Sequence, residues 1–563
     1  MGRRAEMRMQ EEKKLNKAKL IVAIILLVIT ITVVITTLLL NDNNDKEDDG
    51  NKNNELIENE VVVEVKEKTV EEVVSEFGGS IIEKVKPDTC YVSKNEKEYT
   101  VYSDGEILEG RIAIWDGKAV EPQIDKEGNI DIILPGELKW VADKVISGEK
   151  NFSGVKITLK EPLDFGARKI DGEWEGNDWT SIVGFLDDLP EQEENKNKVK
   201  DDSQIIDEDA NVIQENLKRF AGIFNGNNLA IRGLKIVSDR NYQGLFGFNA
   251  GNIENLTIKN SYIKGYSSVG AIAGLNTGVI FNCKVINTEV VGETKVGNVV
   301  GNSSTGSKIQ KCETEGYDSL VNGVDYVGGI VGYTNNNVLL ENLTNNSRVE
   351  GKKHVGGISG ISFYGTTLTG SKNNGRVIGD KHVGGLIGYS QAQIEKSYSS
   401  NISVVEGNEI VGGLVGLNHS AGDLSNSYND GKVNGNVDNI GGLVGTNNSN
   451  ISNCYNTGRI NAQMTDGLRV GGICGQNMSE SYITSVYNIG DVYYNESAEG
   501  IVGIDFGTTN NSFYLDTSLV NENADKTMAK TESEMKSSII SNLGEMFVTD
   551  NDNKNNGYPV LKW

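Results

Sequence analysis

Histidine is nearly absent from this sequence, with three in 563 residues, which leaves little material for metal binding or imidazole acid–base chemistry. Proline is also scarce, six against 66 glycines, and no Gly-X-Y triplet runs along the chain. Neither a Pro-rich disordered chain nor collagen fits. Five cysteines in so long a chain, an odd number, do not make a disulfide scaffold. Basic residues are outnumbered, 54 Lys and Arg against 79 Asp and Glu, for a net charge of −25. Nucleic-acid binding needs basic groups that displace counterions, so no nucleic-acid partner is expected.

Charge is missing altogether from Leu20 to Leu40, 21 residues dominated by Ile, Leu and Val. About 20 residues at ~1.5 Å each cross a hydrocarbon core of ~30 Å. Arg3, Arg4, Arg8, Lys13, Lys14, Lys17 and Lys19 precede the segment, and NDNNDKEDDG follows it. The positive-inside rule places 1–19 in the cytoplasm and everything after Asn41 outside. A cleaved signal peptide would have a shorter apolar stretch and a small-x-small site. This one ends Thr-Leu-Leu-Leu-Asn, which favours an uncleaved anchor, so the cell membrane is an expected partner through Leu20–Leu40. Residues 41–60 are too polar to order themselves and read as a tether.

Beyond the tether, 61–133 reads as a small β-rich module, with 61–76 undecided between strand and short helix. Segment 134–236 reads as the entry and N-terminal cap of a larger fold. In it Leu138, Val141, Ala142 and Val145 fall on one helical face, and Gly148 stands where that helix stops. Residues 187–215 hold eleven acidic and three basic residues. They read as a solvated insert, because no calcium-loop spacing with a trailing Glu is present.

From 237 to 516 a six-residue block recurs: YQGLFG, VGAIAG, VGNVVG, VGGIVG, VGGISG, VGGLIG, VGGLVG, IGGLVG, VGGICG, AEGIVG. Its last glycine falls at Gly247, Gly274, Gly301, Gly332, Gly360, Gly388, Gly416, Gly445, Gly475 and Gly503. So steady a period means a repeat architecture. Two residues before that glycine stands a branched aliphatic, from Leu245 to Ile501. Five before it stands the series Tyr242, Val269, Val296 and so on to Ala498. Two after it runs the small polar series Asn249, Asn276, Ser303, Thr334, Ser362, Ser390, Asn418, Asn447, Asn477, Asp505. Helical repeats would lose about 1 kcal/mol per glycine. Short β-branched runs between Gly and Asn turns predict instead a parallel β-solenoid with three short faces, about 28 residues per coil and rungs ~4.8 Å apart. The aliphatic columns would fill the core, and the polar column would form a corner ladder. The paired glycines would supply either φ > 0 or a bend too tight for a Cβ. A β-propeller, whose blades need about 40 residues or more, ranks second. Segment 517–563 reads as the C-terminal cap, with a capping box at Thr531 and Glu534 and a face of Met535, Ile539 and Leu543.

The blocks Gly385-Leu386-Ile387-Gly388, Gly413-Leu414-Val415-Gly416 and Gly442-Leu443-Val444-Gly445 resemble the GLUG-motif repeats of bacterial surface proteins. The stretches SNCYNTGRI at 452–460, NSYNDGKV at 426–433 and FAGIFNGNNLAIRGL at 220–234, with the entry segment from Glu137, match as well. The resemblance covers roughly 137–563. It implies a right-handed β-helix outside a bacterium, in adhesin-like proteins and in non-catalytic parts of secreted immunoglobulin A proteases. It implies no ligand.

The HExxH helix of a zinc peptidase is missing from the sequence. His354 and His382 share a repeat column, but two ligands are too few for zinc, and exposed turn residues are the simpler reading. GIDFGTTNNS at 503–512 resembles the phosphate-binding turn of actin-like ATPases, yet Gly503 and Asp505 already belong to the repeat columns. Cys283 and Cys312, and Cys454 and Cys474, lie in adjacent coils at unequal offsets, and buried thiols are the default over a disulfide. No catalytic, cofactor or metal residues are assigned, and no cofactor is expected. Two functions stand: non-catalytic adhesion to an extracellular glycan or protein, which is favoured, and cleavage of a polysaccharide by paired carboxylates on a β-helix groove.

Overall fold

The computed structural model describes residues 68–183, 218–316, 318–400, 402–462, 469–493, 498–519 and 526–563. Leu20–Leu40, the tether and the acidic insert lie outside them. Among the described residues no helix is long and apolar enough to cross a membrane.

The described chain opens with helix Val70–Phe77, so the part of 61–76 that is described is helix rather than strand. Thr69 and Glu72 cap it reciprocally, at 3.2 and 2.8 Å, and left-handed Gly78 ends it. The helix lays Val70, Val73 and Val74 on Cys90, Val92 and Val101 of a four-stranded antiparallel sheet, Ser80–Lys86, Thr89–Lys94, Lys97–Tyr102 and Ile107–Glu109.

The rest is a parallel β-solenoid of about 12 turns. Its first rung is Ile130–Ile132, within the stretch read from sequence as the preceding module. That strand pairs in parallel with Lys156–Leu159, which pairs with Ile223–Arg232, which pairs with Asn252–Lys264. Helix Pro135–Ser147, ended by left-handed Gly148, sends Leu138, Val141, Ala142 and Val145 into the same core as Ile130 and Ile157. The ten strands that end each glycine block form one sheet, from Phe246–Asn249 to Val502–Asp505.

The aliphatic columns are buried as the pattern requires: Val327, Val355, Val383 and Val411 stack, as do Ile330, Ile358, Leu386 and Leu414. Two expectations need correction. The first copy is one residue out of step, because Gln243, not Tyr242, pairs with Val269. The three faces are also subdivided, so that the coil from Val300 has five short strands, Val300–Ser303, Lys308–Gln310, Glu313–Glu315, Leu320–Asn322 and Asp325–Gly328. Left-handed residues make the breaks. One column of them is mostly Asn, including Asn255, Asn282, Asn342, Asn426, Asn453 and Asn511. The other precedes the Val column and contains Ser268, Lys295, Tyr326, His354, His382, Ile410 and Asn439.

The motif glycines are not left-handed. They are needed because a Cβ has no room: at Gly356 it would lie 2.1 Å from Ser359 O, at Gly357 2.2 Å from Gly385 O, and at Gly360 2.5 Å from Tyr326 C. Of the two roles open to these glycines, the structure selects the bend.

Candidate interaction surface

Side chains alternate inward and outward along each short strand, and stacking turns every position into a column. The polar series read from the sequence is such a column. Asn249 donates to Asn276 at 2.8 Å, Asn418 to Asn447 at 2.8 Å, Asn447 to Asn477 at 2.9 Å and Asn477 to Asp505 at 2.8 Å. Near the start of the ladder the side-chain oxygens also accept from turn amides, Asn249 from Gly251 N and Asn276 from Gly278 N. Asp505 ends the ladder, with its carboxylate accepting from Gly507 N and the Thr509 hydroxyl. The GIDFGTTNNS string is therefore the last rung of the repeat.

A second buried ladder, missed in the sequence, runs Thr314, Asn345, Asn373 and later Asn429, Asn456, Asn488, with links of 2.8 to 2.9 Å. One position before it, on the outer face, Tyr398, Tyr428, Tyr455 and Tyr487 stack with ring centroids 4.8, 4.8 and 5.0 Å apart. The signal was present as Tyr followed by Ser or Asn in four successive copies, at 398, 428, 455 and 487.

The C-terminal segment lies against this tyrosine column. Thr531 and Glu534 form the expected capping box, but Met535, Ile539 and Leu543 sit on two short helices, Glu532–Lys536 and Ile540–Leu543, and the turn that joins them. They pack with Phe547, Tyr558 and Leu561 against Tyr455 and Tyr487. Asn555 donates to the Tyr487 hydroxyl at 2.7 Å, and that hydroxyl donates to Pro559 O. The end of the core is closed instead by Tyr514, whose ring fills the space where Gly500 lacks a Cβ, with Leu519 and Met528 beside it. Trp563 lies over Tyr428 and Tyr398 at 5.8 and 6.3 Å.

His354 and His382 do stand one rung apart, with ring centroids at 4.9 Å, but they are buried rather than exposed. Tyr326 stacks on His354, and Asp325 bonds its Nδ1 at 2.6 Å. Among the described residues no group of three or more His, Cys, Asp or Glu is placed to hold a metal ion. His419 stacks on Tyr389, and burial lowers its pKa against the Ser420 backbone.

All five cysteines are free and buried. Cys283 and Cys312 share a column despite their unequal offsets, because the longer turn at 304–307 absorbs the difference and Lys284 still pairs with Glu313. Cys454 and Cys474 belong to different sheets, pairing next to Val486 and Val444. A cleft of about 570 Å³ is lined by Trp179, Ser181, Val183, Lys218 and Gln243 among others.

Fold and columns together define a parallel β-solenoid built on Gly-aliphatic-Gly rungs, with buried polar ladders and a tyrosine stack beside one of them. Its repeats are those of the GLUG motif, whose family profile matches residues 407–434 and 438–461; this is a GLUG-repeat protein. A crystal structure from Bacteroides ovatus, described as a "putative immunoglobulin A1 protease", aligns over 78% of this chain and 94% of that one. The identity is 16% and the TM-score 0.31, too loose an overlap to carry an argument on fold or activity. No curated protein matches the sequence.

Proposed function

We propose that this is a non-catalytic bacterial surface protein, held in the cell membrane by Leu20–Leu40 with its solenoid outside, that adheres to an extracellular glycan or protein. The observation that carries the reading is the set of outward columns. Many rungs repeat one backbone geometry and carry stacked outward side chains on it, such as Asn374 on Asn346 and Asn436 on Asn408, while the Tyr398 and Tyr428 rings stay partly exposed at the start of the tyrosine column. A repeated surface of this kind suits an extended ligand, because each rung adds a small contact along one direction. The charge asymmetry around 20–40 supports the anchor and its orientation.

The test exposes the full chain to cell-wall glycans, host glycans and matrix proteins, with mass spectrometry on both the retained and the soluble fractions. Retention with no new fragments is the expected result. Shortened oligosaccharides would overturn it in favour of polysaccharide cleavage.

A further inference from the structure

One outward column is interrupted. Asn346, Asn374, Ser400, Asp430 and Thr457 follow one another on successive rungs, each flanking a residue of the second buried ladder or its serine equivalent, Ser399. Asn374 Nδ2 donates to Asn346 Oδ1 at 2.6 Å, and the Thr457 hydroxyl donates to Asp430. Between these two links the column breaks. Asn374 Oδ1 and Ser400 Oγ are buried without a hydrogen-bond partner, and Ser400 is only 7% exposed. A buried polar atom left unmade costs about 1–3 kcal/mol, so a partner from outside the chain would stabilise both atoms.

The flank of this break is aromatic. Tyr398 and Tyr428 stand two residues back on the same rungs as Ser400 and Asp430, stacked at 4.8 Å. Trp563 covers both rings while remaining 43% exposed, and Lys372 Nζ lies 5.5 Å from the Tyr398 ring centre. Burial pushes the Asp430 carboxyl up, against the Thr457 hydroxyl, which lowers it.

These groups fit one ligand chemistry. A sugar hydroxyl both donates and accepts, which is what a bare amide oxygen beside a bare hydroxyl needs. The apolar face of a sugar ring packs on an exposed indole. An anionic ligand would meet Asp430 and a chain of net charge −25.

We propose that Asn374, Ser400 and Asp430, walled by Trp563, form a binding site for a neutral oligosaccharide. One ligand hydroxyl donates to Asn374 Oδ1 and accepts from the Ser400 hydroxyl. The proposal rests on the adhesion reading and gives it a ligand class.

The test begins with full-length protein on an array of neutral hexose and N-acetylhexosamine oligosaccharides, with uronate and sulfated ones beside them. The tightest neutral probe is then titrated calorimetrically against wild type, Ser400→Ala, Trp563→Ala and a control, Tyr364→Ala, at an exposed ring outside the column. Trp563→Ala should weaken binding at least tenfold and Ser400→Ala several-fold. Tyr364→Ala should change nothing, and Ser400→Ala should keep the wild-type melting temperature. Equal affinity in all four proteins overturns the site and leaves adhesion standing. Retention of only anionic glycans or only proteins does the same. A chain that retains nothing from either array fails both readings.

Discussion

At the scale of single residues, the glycine blocks were legible as a repeat but not as a conformation. Gly-Gly reads equally well as left-handed backbone or as close approach, and only the neighbouring rung decides. The left-handed column that precedes the valines holds Ser268, Lys295, Tyr326, His354, His382, Ile410 and Asn439, which carry no common side-chain signature. The same blindness hid Ser400: a serine in a repeat reads as a turn residue, and its missing partner is a property of the fold. Close approach and left-handed backbone should differ in cost. Gly360→Ala drives a Cβ into the backbone of the preceding rung, 2.5 Å from Tyr326 C and Val327 N, and should cost about 3 kcal/mol in urea unfolding. Gly306→Ala, at φ +79 with nothing within 4 Å, should cost only the left-handed strain of about 1 kcal/mol. Equal costs would mean that conformation, not space, selects these glycines. The thiols supply a second prediction. Burial pushes Cys454 up to about 12, against hydrogen bonds with the Ser427 and Ser452 backbone, so thiolate is scarce at neutral pH. A disulfide-exchange reagent should find almost no reactive thiol in the native protein and five in denatured, unreduced protein. Fewer than five after denaturation would reveal a disulfide.

At the scale of elements, the four-stranded sheet at 80–109 is joined to the solenoid by buried ions that no local pattern announced, because most of the partners are remote from one another in sequence. Arg168 bonds Asp88 at 2.6 Å and Asp164 at 2.7 Å. Arg232 bonds Asp104 at 2.7 Å and Glu106 at 3.0 Å, and lies 3.4 Å over the Tyr102 ring. Lys259 reaches both acids at 3.0 and 3.1 Å. Burial would raise the Asp104 carboxyl, but Arg232 and Lys259 outweigh it and hold the group below the ordinary carboxylate range. A carboxyl with a depressed folded pKa stabilises fully above its unfolded value of about 3.9 and loses that stabilisation as pH falls further. Hydrogen exchange of the 80–109 amides, corrected for the intrinsic pH dependence of exchange, should therefore show flat protection from neutral pH to about 5 and lose it below 4, ahead of the solenoid core. Arg232→Met leaves two carboxylates without their main partner and should cost about 3 kcal/mol. If the sheet instead opens together with the core at every pH, the ion cluster is not what holds it.

At the scale of the whole molecule, the solenoid was the most legible feature, because so nearly constant a period survives every local irregularity. Its closure was less so. Tyr514 plugs the end of the core while 531–561 lies along the tyrosine column, and neither role follows from a capping box. The stacking itself makes a sharp prediction. Each rung pairs only with its neighbours, so stability is close to a sum of rung and interface contributions. Gly332, Gly360 and Gly388 are evenly spaced, and Lys353 pairs with Lys381 as Val355 does with Val383. Deleting 351–378 removes one whole coil and brings Gly379 to the place of Gly351, so Val383 lands on Val327 and Leu386 on Ile330. That variant should fold, keep the β-sheet circular dichroism spectrum and melt within a few degrees of the parent. Deleting only 351–364 removes half a coil, and everything after it would have to rotate outward residues into the core. Since a register error turns a buried face to solvent, that variant should fail to give a cooperative melt. Should both deletions behave alike, the coils do not act as interchangeable rungs.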